Sequence, residues 1–244
     1  PRGESLAIRH SHPEWIVSAY FDLLRDFEEV RALLEANNTP AKPTFVTWPG
    51  RSEISEFAEW GAVKTTYSSY GFRADVTPSA LEAVRHRRAG VQDEGSQLVA
   101  SIFAQAADDK SPWLDLCAGP GGKAALLASI AGQGDHRFVA NEISQIRADL
   151  VKQVVGSHEV WVGDAREIAT RGEGFDAILA DVPCTGMGAL RRRPEVRWRR
   201  SLSDLRELGV LQREISDAAI SILNVGGVFG YATCSPHLAE TSIA

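Results

Sequence analysis

The chain has 244 residues, enough for one large domain or two smaller ones. With 44% apolar and 24% charged residues it can bury a core, and a net charge of -6 excludes nucleic-acid binding through overall basicity, though not a local basic patch. No apolar run reaches the roughly 18 residues of a membrane span, and the three cysteines, 117, 184 and 234, are too few and too widely spaced for a disulfide framework or a zinc knuckle. A cytoplasmic monomer without a metal or a membrane contact is the expectation.

The first element is a helix from Pro13 to about residue 38. Trp15, Ala19, Leu23, Phe27, Val30 and Leu34 recur there at helical spacing, and "NNTPAKP" ends it. Residues 39–94 then alternate short strands ("TFVTW", "VKTTY") with a short helix opened by a capping serine in "SEISEFAEW", which predicts a small α+β unit. "VRHRRAGVQDEGSQ" reads as a charged connector, and "SQLVASIFAQAA" as the helix that begins the next domain. Beyond Pro112 the apolar runs "WLDLC", "RFVANE", "EVWVGD", "FDAILAD" and "VFGYATC" alternate with helical stretches, notably 201–224. That rhythm predicts an α/β, doubly wound, mostly parallel sheet over residues 95–244, preceded by the small unit and an N-terminal helical segment of residues 1–38.

Chemistry collects at the carboxyl ends of such strands. "WLDLCAGPGGKAALL" is a strand, a glycine turn at 119, 121 and 122, and a helix, in the order D-x-x-x-G-x-G rather than the dinucleotide fingerprint. Glu142 ends the second strand, where a carboxylate takes ribose hydroxyls, and Asp164 ends the third, within reach of a base ring. Either acid could instead be a solvated loop residue or a helix cap. Together they fit an adenosine-containing cofactor, and the missing pyrophosphate fingerprint favours S-adenosylmethionine over a dinucleotide.

Asp181 and Cys184 follow the fourth strand in "ADVPCTG", and Cys234 ends the fifth in "YATC". Neighbouring strands would bring both thiols to one crevice. Cys117 reads as a packing thiol. Carbon 5 of a pyrimidine becomes nucleophilic when a thiolate adds to carbon 6, a carboxyl group can hold the cytosine edge, and a second acid–base group can serve the later proton loss.

"DLCAGPGGK", "DVPCTGMGALRRRPEVRW" and "YATCSPHLAE" resemble the cofactor loop and two cysteine motifs of the Fmu/RsmB/Sun family of RNA cytosine-5 methyltransferases, a likeness that covers roughly residues 90–244. It implies a Rossmann-like class I methyltransferase domain, Cys234 as the nucleophile and Cys184 as the residue assisting product release. It also implies a cofactor loop of Cys117, Ala118, Gly119, Pro120, Gly121, Gly122 and Lys123, with Glu142, Asp164 and Asp181 at the acidic cofactor positions, Asp181 also touching the target base. The small unit resembles an RNA-recognition fold. Family members continue past "YATCSP" with further strands, so the domain is expected to lack its C-terminal end.

"RRRPEVRWRR" sets six arginines in ten residues after the Asp181–Cys184 loop. Arg191, Arg192, Arg193 and Arg197 are candidate phosphate contacts, and Trp198 either stacks on a base or anchors the loop in the core. "RHRR" at 85–88 is a second basic candidate. The resulting expectation is methyl transfer to carbon 5 of a cytosine in RNA, ribosomal RNA first. The rivals are a cytosine-5 methyltransferase acting on tRNA or DNA and a non-catalytic RNA-binding assembly protein on an idle methyltransferase fold.

Overall fold

The computed structural model describes residues 2–242. In chain order the elements are α1 (Arg2–His10), α2 (Glu14–Leu24), α3 (Phe27–Asn37), β1 (Phe45–Thr47), β2 (Val63–Lys64), β3 (Gly71–Arg73), α4 (Glu82–Arg85) and β4 (Ala89–Val91). There follow α5 (Glu94–Ala106), β5 (Trp113–Asp115), α6 (Gly122–Gln133), β6 (Phe138–Glu142), α7 (Gln145–Lys152), β7 (Glu159–Val162), β8 (Phe175–Asp181), α8 (Val196–Arg199), α9 (Leu202–Ile222) and β9 (Leu223–Ala232), with 3-10 turns between some of them and another, Leu238–Glu240, after β9. Among the described residues no helix is long and apolar enough to cross a membrane.

The chain forms two compact units. One gathers Pro1–Lys42, Val182–Ile215 and Thr233–Ala244. Its apolar core joins Leu6, Ile16, Tyr20, Val30 and Leu34 of α1–α3 to Met187 and Leu190 from the segment after Cys184, and the Tyr20 hydroxyl donates to the Met187 carbonyl at 3.0 Å. The single helix expected from Pro13 is two helices. Arg25 adopts φ 55, and the Asp26 side chain accepts the Glu29 amide at 2.8 Å, capping α3. A cap of this kind is worth about 1 kcal/mol and starts a new helix where the apolar stripe alone would continue the old one.

The other unit comprises Pro43–Asp181 and Ser216–Ala232. Its smaller sheet is antiparallel, in the order β2-β3-β1-β4, with Phe45 and Phe57 each stacked on Phe72. The short helix expected to open on a serine is a 3-10 turn, Ile54–Trp60, capped instead by Glu53 and Glu56 reciprocally, while the Ser52 hydroxyl donates to the Arg88 carbonyl. Its larger sheet is fully parallel, in the order β7-β6-β5-β8-β9. Leu114 lies in register with Val139 on one side and Ile178 on the other, and all three are buried. α6 packs beside α5 with Ala124, Leu126, Leu127 and Ala128 all buried, because a helix apolar on every face has nowhere else to go. The strand order reverses between β5 and β8, which is where an open sheet of this kind splays to admit a ligand.

Candidate active site

At the carboxyl end of β5 the chain turns through Cys117–Gly121 into α6. Gly121 has φ 112, and a Cβ there would come within 2.9 Å of Val154 Cγ2, so only glycine fits. A Cβ on Gly119 would collide with the Glu142 carboxylate. The turn leaves the first N–H groups of α6 without helical acceptors, which suits an anionic group.

Three carboxyl groups end strands here. Glu142 is buried, and Oε2 accepts the Gly119 amide at 3.0 Å while Oε1 accepts the Ser144 amide at 2.8 Å and the Arg147 guanidinium at 2.6 Å. A carboxylate has about four acceptor sites, so one hydroxyl can join without disturbing these bonds. Asp181 pairs with Lys123 Nζ at 2.7 Å. Asp115, absent from the candidates read in the sequence, is fully buried, and neither of its carboxyl oxygens has a well-formed hydrogen bond. Burial first, and then the Asp181 charge, push its pKa up from 3.8 to about 7, with Lys123 and the Cys117 amide opposing. A ligand ammonium or hydroxyl would supply the well-formed bond this acid lacks. The leading Asp of D-x-x-x-G-x-G was the available sequence signal.

Asp164 sits otherwise. It caps the 3-10 turn Ala165–Arg171, accepting the Arg166 amide at 2.9 Å, and both its oxygens are held by the Arg166 guanidinium, which keeps its pKa low. The helix-cap reading describes its geometry. The Cys117 thiol is driven up by burial and by the surrounding carboxylates, so it stays protonated and packs.

In the other unit the structure brings the two remaining thiols together: Cys184 Sγ and Cys234 Sγ are 3.3 Å apart, Cys234 being exposed. The hydrogen bond from Cys234, then those from Thr233 and the Gly186 amide, pull the Cys184 pKa down from 9.0 to about 7, against burial and the Glu240 charge. A thiol with a pKa near 7 holds a substantial thiolate fraction at neutral pH. Cys184 lies three residues beyond Asp181 and Cys234 two beyond Ala232, and Asp181 and Ala232 are register partners on adjacent parallel strands. Thr185, Gln212 and Glu240, which sequence reasoning missed, form a buried polar network with Ser235 around this pair.

The arginine run divides. Arg197 is only 4% exposed, and its guanidinium donates to the Ser11 carbonyl, Asn38 Oδ1 and the Asn37 carbonyl. It is therefore a tie to the ends of α1 and α3 and not a phosphate contact, a correction to the reading of the run as one basic patch. Arg191 is exposed but donates to the Thr39 and Pro40 carbonyls, and Arg193 pairs with Glu195 at 3.4 Å. Arg192 is exposed as well. Trp198 is 66% exposed, so it does not anchor the loop in the core.

A parallel sheet of this order, with a glycine turn and strand-end carboxyl groups at its switch point, defines a Rossmann-like methyltransferase fold. The model of the family described as 16S rRNA methyltransferase RsmB/F matches residues 101–244, and the chain belongs to that family. It is 45% identical over 96% of its length to the Mycobacterium tuberculosis protein named "Putative methyltransferase Rv1407", covering 53% of it. It is 33% identical over 93% of its length to the ribosomal RNA small subunit methyltransferase B of Vibrio cholerae, covering 54%. The chain thus spans about half the length of these curated relatives. The crystal structure of NSun6 from Pyrococcus horikoshii with SFG shares the fold, with a TM-score of 0.78 at 18% identity over 94% of this chain and 85% of that one.

Proposed function

We propose that this chain is the part of a cytoplasmic RNA methyltransferase that transfers a methyl group from S-adenosylmethionine to carbon 5 of a cytosine, in ribosomal RNA by analogy with its relatives. The observation that carries the reading is the thiol pair 3.3 Å apart, with the Cys184 pKa lowered, because methyl transfer to carbon 5 needs a nucleophile and a second proton-handling group together.

S-adenosylmethionine, when bound, supplies an electrophilic methyl group. Four features fit it: the cradle at Gly119–Lys123, the free acceptor site on Glu142 for a ribose hydroxyl, the buried Asp115 carboxyl without a well-formed hydrogen bond for an ammonium, and the α6 N-terminus for a carboxylate. Asp164 remains the proposed contact toward the adenine ring, which would require the Arg166 fork to share it.

Cys234 is assigned the attack on carbon 6. Its sulfur forms the S–C6 bond, the C5–C6 π pair moves to make carbon 5 nucleophilic, and the thiol proton passes to the partner sulfur or to water. Asp181, held by Lys123, hydrogen-bonds the cytosine edge as charge shifts onto it. After methylation the carbon-5 proton must leave and the S–C6 bond must break. Cys184, with a pKa near 7, is suited to take that proton and release Cys234. A target base must leave its stack to be reached, so a single-stranded or flexible site is expected.

The test separates the cysteines. With labelled RNA and S-adenosylmethionine, Cys184→Ala should accumulate protein bonded to RNA on a denaturing gel, whereas Cys234→Ala should bind RNA without any adduct. Adduct trapped by Cys234→Ala would assign the nucleophile to the Pro-Cys segment, as expected of a DNA-type enzyme. Absence of 5-methylcytosine in RNA treated with the full-length wild type would favour a non-catalytic scaffold.

A further inference from the structure

Glu240 is completely buried, yet nothing in the proposed methyl transfer uses it. Its Oε1 accepts the Thr185 amide at 2.8 Å and the Gln212 side-chain amide at 3.1 Å, and its Oε2 accepts the Thr185 hydroxyl. The same Gln212 amide donates to the Pro183 carbonyl at 2.8 Å. The residues immediately before and after Cys184 are therefore both fastened, one directly to α9 and the other to the carboxylate that α9 also holds. The Cys234 segment is joined to the Cys184 segment through Thr185 and Gly188: Thr185 Oγ1 and Ser235 Oγ are 3.0 Å apart, and the Gly188 amide donates to the Cys234 carbonyl at 2.9 Å.

A buried carboxylate costs several kcal/mol in lost hydration unless its acceptor sites are filled. Here three of them are filled, by the amide and hydroxyl of Thr185 beside Cys184 and by Gln212 of α9, and the Thr185 hydroxyl in turn meets Ser235 beside Cys234, a cysteine 50 residues on along the chain. Without such a link, each segment would be free to turn its thiol elsewhere, since neither Cys184 nor Cys234 lies within a strand or a helix.

We propose that Glu240 is a positioning residue: its hydrogen-bond strap through Thr185, Gln212 and Ser235 holds the sulfurs of Cys184 and Cys234 at hydrogen-bonding distance, so that they act as a pair. The role in methyl transfer rests on the reading above, but the strap is a property of the two thiols and can be measured without RNA.

Phenylarsine oxide is a suitable probe, because its trivalent arsenic replaces its oxygen with two thiolate sulfurs at once, releasing water, and binds tightly only where two thiols are already close. Wild-type protein should capture it, and Cys184→Ala should lose that capture. Glu240→Ala and Thr185→Val should each bind it at least about tenfold more weakly, as the second sulfur loses effective concentration. Glu240→Gln, which keeps the shape and most of the hydrogen bonds, should restore most of the affinity. Thr185→Val keeps the amide bond to Glu240 and cuts only the hydroxyl link, so it carries the test if Glu240→Ala does not fold by circular dichroism. Folded Thr185→Val protein with wild-type arsenical affinity would overturn the strap. Weakened capture in the variants, with no RNA adduct from full-length Cys184→Ala, would keep the strap and sink the methyl-transfer reading. RNA adducts with unchanged arsenical capture in the strap variants would do the reverse.

Discussion

Asp115 offers a stability experiment that needs neither cofactor nor RNA. Its carboxyl is fully buried without a well-formed hydrogen bond, and its pKa stands at about 7 in the folded protein against an ordinary 3.8. An acid whose folded pKa is raised costs nothing below pH 3.8, where it is protonated in both states. Between 3.8 and 7 the unfolded chain ionises and the folded chain does not, so stability falls as the pH rises. Above 7 the full cost is present: roughly 1.4 kcal/mol per pH unit over this interval, or about 4 kcal/mol. Between pH 5 and pH 8 the group should remove about 3 kcal/mol. Asp115→Asn keeps the shape and abolishes the titration. Its advantage over wild type in urea unfolding should therefore grow by that amount from pH 5 to pH 8, at equal m-values. Stability curves that stay parallel over this range would refute the argument, since they would mean that Asp115 is solvated or paired in solution.

Glu142→Ala should weaken S-adenosylmethionine binding in calorimetry by about 1 to 3 kcal/mol, the cost of losing a charged hydrogen-bond partner; unchanged binding would take Glu142 out of the site. Arg192→Ala with Arg193→Ala should reduce the slope of log RNA affinity against log salt by about 1.4 to 1.8, two phosphate contacts' worth, with cofactor affinity unmoved. Arg197→Ala should instead lower stability by about 3 kcal/mol through the loss of its buried carbonyl partners and leave the salt slope alone. A changed salt slope for this variant would return Arg197 to the RNA-binding set.

What could be read in advance follows from how local the cause is. The strands of the parallel sheet stand out because each is an apolar run closed by an acid or a cysteine, and the adjacency of β8 and β9 follows from the usual order of such sheets. β3 and β4 escaped notice because each has only three residues, and Ala89–Val91 lies inside what reads as a charged connector; their pairing with β1 is a long-range fact. The break between α2 and α3 was legible, since Asp26 and Glu29 have the spacing of a capping pair, but the apolar stripe running through them masked it. Asp115 and Glu240 show the deeper limit. Each is a single acid letter, and what distinguishes them from a solvated surface acid is burial by residues distant in sequence: Gln212 lies 28 residues from Glu240, and Asp181 lies 66 from Asp115. The arginine run makes the same point from the other side. Arg193 and Arg197 are four residues apart in one basic stretch, yet one reaches solvent and the other is spent on the carbonyls of the helical segment, because that stretch packs among the N-terminal helices. Counting arginines measures the charge available. Which of that charge faces outward depends on packing partners 150 or more residues away, and here those partners are Asn37 and Asn38.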